Sequence, residues 1–197
     1  MKIAITGHTR GIGAAIAGRF EKEHDIVGFS KSTGYDLSDH KVIKQIVEEA
    51  TDCDVFINNA YYADAQTKLL YKMYEQWQNT PKLIINVGAV SSDTHTNFTR
   101  VGYVKFWTDY TSYKKQLDFA SLQLSDMRKN QEMCKVTMLK GGFVKTDTTS
   151  PFIAFMPDIE KVMMDPERFA DMAEWVVNAP EGVQIRKLSF DEGNFTA

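Results

Sequence analysis

Short apolar runs alternate with amphipathic stretches along the chain. KIAIT precedes GIGAAIAGRFEKEH, DIVGFS precedes HKVIKQIVEEA, and DVFINNA precedes AQTKLLYKMYEQWQ. KLIINVGA then precedes YTSYKKQLDFASLQLSDMR, and KVTMLKGG precedes PERFADMAEWVV. Continuous β-rich runs imply strands covered on both faces, and helices between them imply parallel crossovers. The pattern predicts an α/β fold with a doubly wound parallel sheet in three α/β/α layers, closed by a last strand in VQIRKLSF. Two stretches lack clear periodicity, 91–109 and 146–165. Both follow predicted strands, beyond whose carboxyl ends ligands bind in an open parallel sheet.

A length of 197 residues fits one domain, 1–197. The composition, 43% hydrophobic and 25% charged with a net charge of −3, offers no excess of cations for a phosphate backbone, so nucleic acid is a poor partner. No apolar stretch reaches the length of a membrane span, and the chain opens on a core strand instead of a charged leader. Cys53 and Cys134 have no companions at metal-ligand spacing, so they are expected to be reduced, buried thiols with no metal. A cytoplasmic protein is the expectation.

The first strand runs into Thr6-Gly7, with Gly11 and Gly13 following before a helix of small residues. Such a turn brings backbone N–H groups and the positive end of a helix dipole against an anion, usually a phosphate. Glycine lets the backbone approach and supplies positive φ where the turn needs it. Further on, Tyr110 and Lys114 stand four apart on a predicted helix, so they share a face and can touch one ligand. A phenol has an unperturbed pKa of about 10, and a neighbouring ammonium is expected to bring it closer to working pH.

The TGxxxGxG spacing of Thr6, Gly7, Gly11 and Gly13 resembles the cofactor loop of the short-chain dehydrogenase/reductase family. Other landmarks recur in that family's order. Asp36-Leu37 looks like its acidic-apolar adenine contact, and Asn58-Asn59-Ala60 resembles the NNAG after its fourth strand. Tyr110 to Lys114 forms YxxxK, and the segment from Gly142 to Thr146 resembles PGxVxT. The resemblance implies a Rossmann-type dinucleotide-binding topology. It also implies a cofactor site of Gly7, Thr9, Arg10, Gly11, Ile12, Gly13, Ser30, Lys31, Asp36, Leu37, Asn59, Ala60, Tyr110, Lys114, Val144 and Thr146. In the family the tyrosine exchanges a proton with the substrate oxygen, the lysine holds the nicotinamide ribose, and protomers pair as homodimers or homotetramers.

The chain departs from the family at several points. Ala89 falls where the catalytic serine should be, and Ser91, on the same side if the backbone stays extended, is the stand-in; Ser92 is the second choice. Residues 65–79 provide one helix where the family has two, so its asparagine has no clear counterpart; Asp64 and Gln66 fall nearby. NNAG has become NNAY, so Tyr61 either adds bulk beside the nicotinamide pocket or packs under the loop. Phe98, Tyr103, Phe106 and Trp107 either form a lid, hold their loop down or meet a second subunit. His8 and His95 match no family role and are read as solvent or capping contacts.

After the second strand stand Ser30-Lys31-Ser32 and no carboxylate, and Arg10 adds a cation, which favours NADP(H) over NAD(H). The expected function is an NADP(H)-dependent oxidoreductase acting on a small-molecule carbonyl or alcohol, with Tyr110, Lys114 and Ser91 as catalytic residues. A non-catalytic dinucleotide sensor and an NAD-using epimerase or dehydratase are the alternatives.

Overall fold

A computed structural model describes residues 1–93, 104–153 and 157–191. The strands are β1 (Lys2–Thr6), β2 (Asp25–Phe29), β3 (Val55–Asn58), β4 (Leu83–Ala89), β5 (Lys135–Gly141) and β6 (Lys187–Phe190). They form one parallel sheet in the order β2-β1-β3-β4-β5-β6. The helices are α1 (Gly11–Phe20), α2 (His40–Ala50), α3 (Ala65–Trp77), α4 (Val104–Asp126), α5 (Ser150–Ile153) and α6 (Pro166–Val177).

Alternate side chains of the strands feed two separate cores. Ala4, Phe56, Ile84 and Val136 pack with Ile43, Leu69 and Leu117, so α2, α3 and α4 cover one face. Ile3, Ile5, Ile57, Ile85 and Leu139 pack with Ile16, Phe169 and Ala173, so α1 and α6 cover the other. The three-layer expectation from the apolar runs is met. Strand order reverses between β1 and β3, and the crevice at such a switch point lies above the carboxyl ends of those strands. The glycine turn, Asn59-Ala60 and the end of β4 all stand there.

Three local details differ from the expectations. Asn58-Asn59-Ala60 follows the third strand of the chain, because Asp36-Leu37 forms no strand. Asp36 instead closes a turn, its carboxylate accepting from the Ser38 N–H at 3.0 Å and its carbonyl from the Asp39 N–H at 3.0 Å. The last strand is shorter than VQIRKLSF: the Ile185 carbonyl accepts from the Thr137 hydroxyl, and only Lys187–Phe190 pairs with β5. Residues 91–109 are less open than expected, since α4 begins at Val104. Cys53 and Cys134 are both buried free thiols, and burial pushes the Cys134 thiol up to about 12.

Candidate active site

The glycine turn is built for close backbone approach. Gly7 has φ +72°, and a Cβ on Gly13 would sit 2.1 Å from the Gly7 carbonyl oxygen, so α1 can lie this close to the turn only with glycine there. Thr6 and Asn59 fasten the turn to the end of β3. The Thr6 hydroxyl accepts from the N–H groups of Asn59 and Ala60 at 2.9 and 3.0 Å, while the Asn59 amide donates to the Thr6 carbonyl at 3.0 Å. The first internal bond of α1 is Ala14 N–H to the Arg10 carbonyl, and no acidic side chain lies in the first turn. The N–H groups of Gly11, Ile12 and Gly13 therefore have no partner among the described residues and face a positive helix end, a cradle that suits a phosphate.

Gly13→Ala is expected to push the turn off α1. Overpacking against a backbone atom costs about 1–3 kcal/mol, and dinucleotide affinity falls with it. Thermal unfolding and a fluorescence titration with NADPH check both; an unchanged Kd would show that the cradle is not the binding turn.

Around the end of β2 lies a hydroxyl cluster. Ser30 and Ser32 are 2.9 Å apart, Thr9 and Ser32 3.2 Å, and Ser30 and Thr33 3.3 Å. The expectation that no carboxylate stands here is corrected: Asp36 reaches back to Lys31, with Nζ to Oδ2 at 2.8 Å. That hydrogen bond, helped by the Ser38 N–H, holds the Asp36 carboxyl at about 2. Arg10 makes no ion pair among the described residues. Leu37 packs against the α2 side of the core. His8 is half-buried: its ring covers β2 so closely that a Cβ on Gly28 would meet it at 2.4 Å, and its Nδ1 is buried without a hydrogen bond among the described residues. His95 lies outside the described residues.

Lys114 is 4% exposed. Its ammonium donates to Gln66 Oε1 at 2.7 Å and to the Val87 carbonyl at 2.8 Å, and lies 5.5 and 5.6 Å from the ring centres of Tyr61 and Tyr110. Tyr61 meets Tyr110 edge to face at 4.9 Å. Of the two alternatives for Tyr61, the structure has it standing over the Tyr110–Lys114 pair. Burial lowers Lys114 to about 7 and raises the Tyr110 phenol above its usual value, with Tyr61 adding to the rise. The expected lowering of Tyr110 by Lys114 is thus reversed, because both groups are desolvated together and no hydrogen bond joins them.

Ser91 does not continue the strand. The backbone turns into a 3-10 helix at Val90–Ser92, with the Asp93 N–H on the Val90 carbonyl at 2.9 Å. Ser91 therefore does not share the side of Ala89 by strand alternation. Its hydroxyl makes no hydrogen bond among the described residues, whereas that of buried Ser92 donates to the Ala89 carbonyl at 2.8 Å. Val144 runs beside Met164, and the Thr146 hydroxyl is 3.1 Å from that of Thr149, its methyl close to Gly11. Phe98 and Tyr103 lie outside the described residues, as do the side chains of Phe106 and Trp107.

Two buried polar side chains that the sequence reading gave no role also bear on this region. Gln66 is buried in the first turn of α3 and bridges β3, β4 and α4. Lys140, fully buried at the end of β5, bonds Asp93 at 2.7 Å and Asp118 at 2.8 Å, with Lys187 reaching the same carboxylates at 3.0 and 3.5 Å.

No protein-family model matches the chain, and no curated protein matches it by sequence. Its fold, however, is that of solved short-chain dehydrogenase/reductases. The chain is similar to 3-alpha-hydroxysteroid dehydrogenase from a Pseudomonas species, crystallised with NADH, at TM-score 0.78 and 15% identity over 98% of this chain and 96% of that one. It is similar to 3-ketoacyl-(acyl-carrier-protein) reductase from Brucella melitensis, complexed with NADH, at TM-score 0.76 and 17% identity over 98% and 97%. A short-chain dehydrogenase from Burkholderia cenocepacia, in complex with NADP, gives TM-score 0.75 and 16% identity over 97% and 96%.

Proposed function

We propose that this chain is an NADP(H)-dependent oxidoreductase interconverting a carbonyl and an alcohol on a small molecule. The observation that carries the reading is a continuous set of hydrogen bonds. Lys114 is held by Gln66, Gln66 by the Asn58 carbonyl at 2.7 Å, and the adjoining Asn59 by the glycine turn. These contacts support a reading in which the phosphate cradle and the phenol–amine pair serve one crevice, as do solved neighbours of the same fold that carry NADH or NADP.

Gly7, Thr9, Arg10, Gly11, Ile12 and Gly13 would hold the pyrophosphate end, and Asp36 and Leu37 flank the adenine side. Asn59, Ala60, Val144 and Thr146 line the nicotinamide side. When bound, the nicotinamide supplies or takes up hydride. Tyr110 gives a proton to the substrate oxygen in reduction and takes it back in oxidation. Lys114 spends two N–H groups on Gln66 and Val87 and keeps a third for a ribose hydroxyl. Ser91, whose hydroxyl has no hydrogen bond among the described residues, would be the donor to the substrate oxygen if the turn after β4 faces the crevice. We further propose that α4, with Phe119 exposed, pairs protomers into a homodimer or homotetramer, and that the protein works in the cytoplasm, as its two free thiols suit.

Arg10, Lys31 and the hydroxyls of Thr9, Ser30 and Ser32 support a 2′-phosphate, although Asp36 already pairs with Lys31. Charge-assisted bonds of this kind predict about 10-fold or tighter binding of NADPH than NADH, lost in a joint Arg10→Ala and Lys31→Ala variant. Fluorescence titration with both nucleotides reads it, and equal Kd values would remove the preference. Ala89 and the Tyr61 ring over the pair favour a second reading, a dinucleotide sensor without turnover. Carbonyl-dependent NADPH oxidation across aldehydes and ketones decides: nucleotide binding with no oxidation supports the sensor.

A further inference from the structure

We infer that Gln66 is the positioning residue for Lys114, fixing its amino group on the Val87 carbonyl by tying the ends of β3 and β4 to α4. The inference rests on the oxidoreductase reading for its catalytic consequence. Its structural basis is separate.

The orientation of the Gln66 amide is dictated by what surrounds it. Its nitrogen lies 2.7 Å from the Asn58 carbonyl, 3.2 Å from that of Val87 and 3.5 Å from that of Asn59, all acceptors. Turning the amide over would set its oxygen against three carbonyls and its NH2 against an ammonium, so Oε1 must face Lys114. The Gln66 carbonyl in turn accepts from the Asn58 amide, which also donates to Asn86 Oδ1, and Asn86 donates to the Ser121 hydroxyl on α4. Gln66 thus binds both strand ends and has one acceptor left, which Lys114 takes.

The surroundings of Lys114 make that contact consequential. From α3 it meets neutral Gln66, from β4 only the Val87 carbonyl, from the loop after β3 the Tyr61 ring, and on its own helix Tyr110. Asp118, one turn further along α4, is engaged by Lys140, and Asp64 by Lys68. Among the described residues no carboxylate lies within ion-pair distance of the Lys114 ammonium. An amide orients the amino group without adding charge, so burial is what lowers Lys114 to about 7.

Gln66→Glu and Gln66→Met test this. The first removes the three-carbonyl clamp and adds a charge; the second removes both contacts. The readout independent of turnover is the 13Cε titration of Lys114 in the nucleotide-free protein, assigned by its loss in Lys114→Arg. In Gln66→Glu the midpoint should rise by about one unit or more, and the pH limb of kcat should rise with it. Gln66→Met, should the charged variant not fold, is expected to lower kcat about 100-fold with less change in KM. An active Gln66→Glu enzyme with an unmoved midpoint, or a Gln66→Met enzyme with wild-type kcat, overturns the inference. A wild type that oxidises no NADPH while Gln66→Glu still shifts the titration overturns the oxidoreductase reading instead, and leaves the hold of Gln66 on Lys114 standing.

Discussion

Tyr110→Phe is expected to lower kcat by about 100-fold to 10,000-fold, the range a positioned general acid–base contributes, while leaving the fold and NADPH affinity close to wild type. The phenylalanine ring keeps the edge contact with Tyr61, and Lys114 keeps its bonds to Gln66 and the Val87 carbonyl. Lys114→Met is a different experiment, because it strips Gln66 Oε1 of its donor and leaves the Val87 carbonyl only the longer bond from the Gln66 amide, and so loosens the crevice as well. Steady-state NADPH oxidation, a nucleotide titration and a thermal melt on each variant separate the two. Wild-type turnover in Tyr110→Phe would remove the phenol from the mechanism.

The same pair fixes a pH dependence. Burial holds the folded Lys114 at about 7 against 10.5 for a free lysine, so between those values the unfolded chain binds the extra proton. Stability therefore rises with pH across that window, the penalty of the buried charge being fully present below it. The slope should be missing in Lys114→Met. Carbonyl reduction that needs the ammonium runs the other way, falling as pH passes 7.

How much of this is legible in the sequence depends on the kind of force involved. Helix limits written in local chemistry were readable: α2 starts after the Asp39 cap, whose carboxylate accepts from the Lys41 N–H at 2.8 Å, and α6 starts on Pro166. The glycine turn was readable because only glycine tolerates its contacts. Side-chain networks were not. Gln66 reads as an ordinary polar residue opening an amphipathic helix, and only the convergence of β3, β4 and α4 turns it inward. Ser91 was placed by strand alternation, which fails because the chain coils immediately after Ala89. Asp36 lies five residues beyond Lys31, and its return to that ammonium depends on the 3-10 turn over Lys31–Thr33 and the left-handed Gly34 that ends it, neither of which names the partner.

Lys140 did leave a trace: a lysine inside the apolar run KVTMLKGG needs an anion, and Asp118 stands four residues past Lys114 on a helix facing the sheet. Lys140→Met is expected to cost about 3–5 kcal/mol, the usual penalty for breaking a buried pair. Asp118 is only 13% exposed, already has one oxygen without a hydrogen bond, and would keep Lys187 at 3.5 Å as its remaining cation. At about 2–4 °C per kcal/mol for a chain of this size, the melting temperature should fall by about 6–20 °C. Asp93→Asn should cost less, since that carboxylate is 40% exposed and salt screens it. Adding Asp118→Asn to Lys140→Met should recover part of the loss, because the stranded charge goes with it. The cluster ties Asp93, next to the turn of Ser91 and Ser92, to α4 one helical turn beyond Lys114. A Lys140→Met protein that melts like wild type would mean that this side of the crevice is held by apolar packing alone.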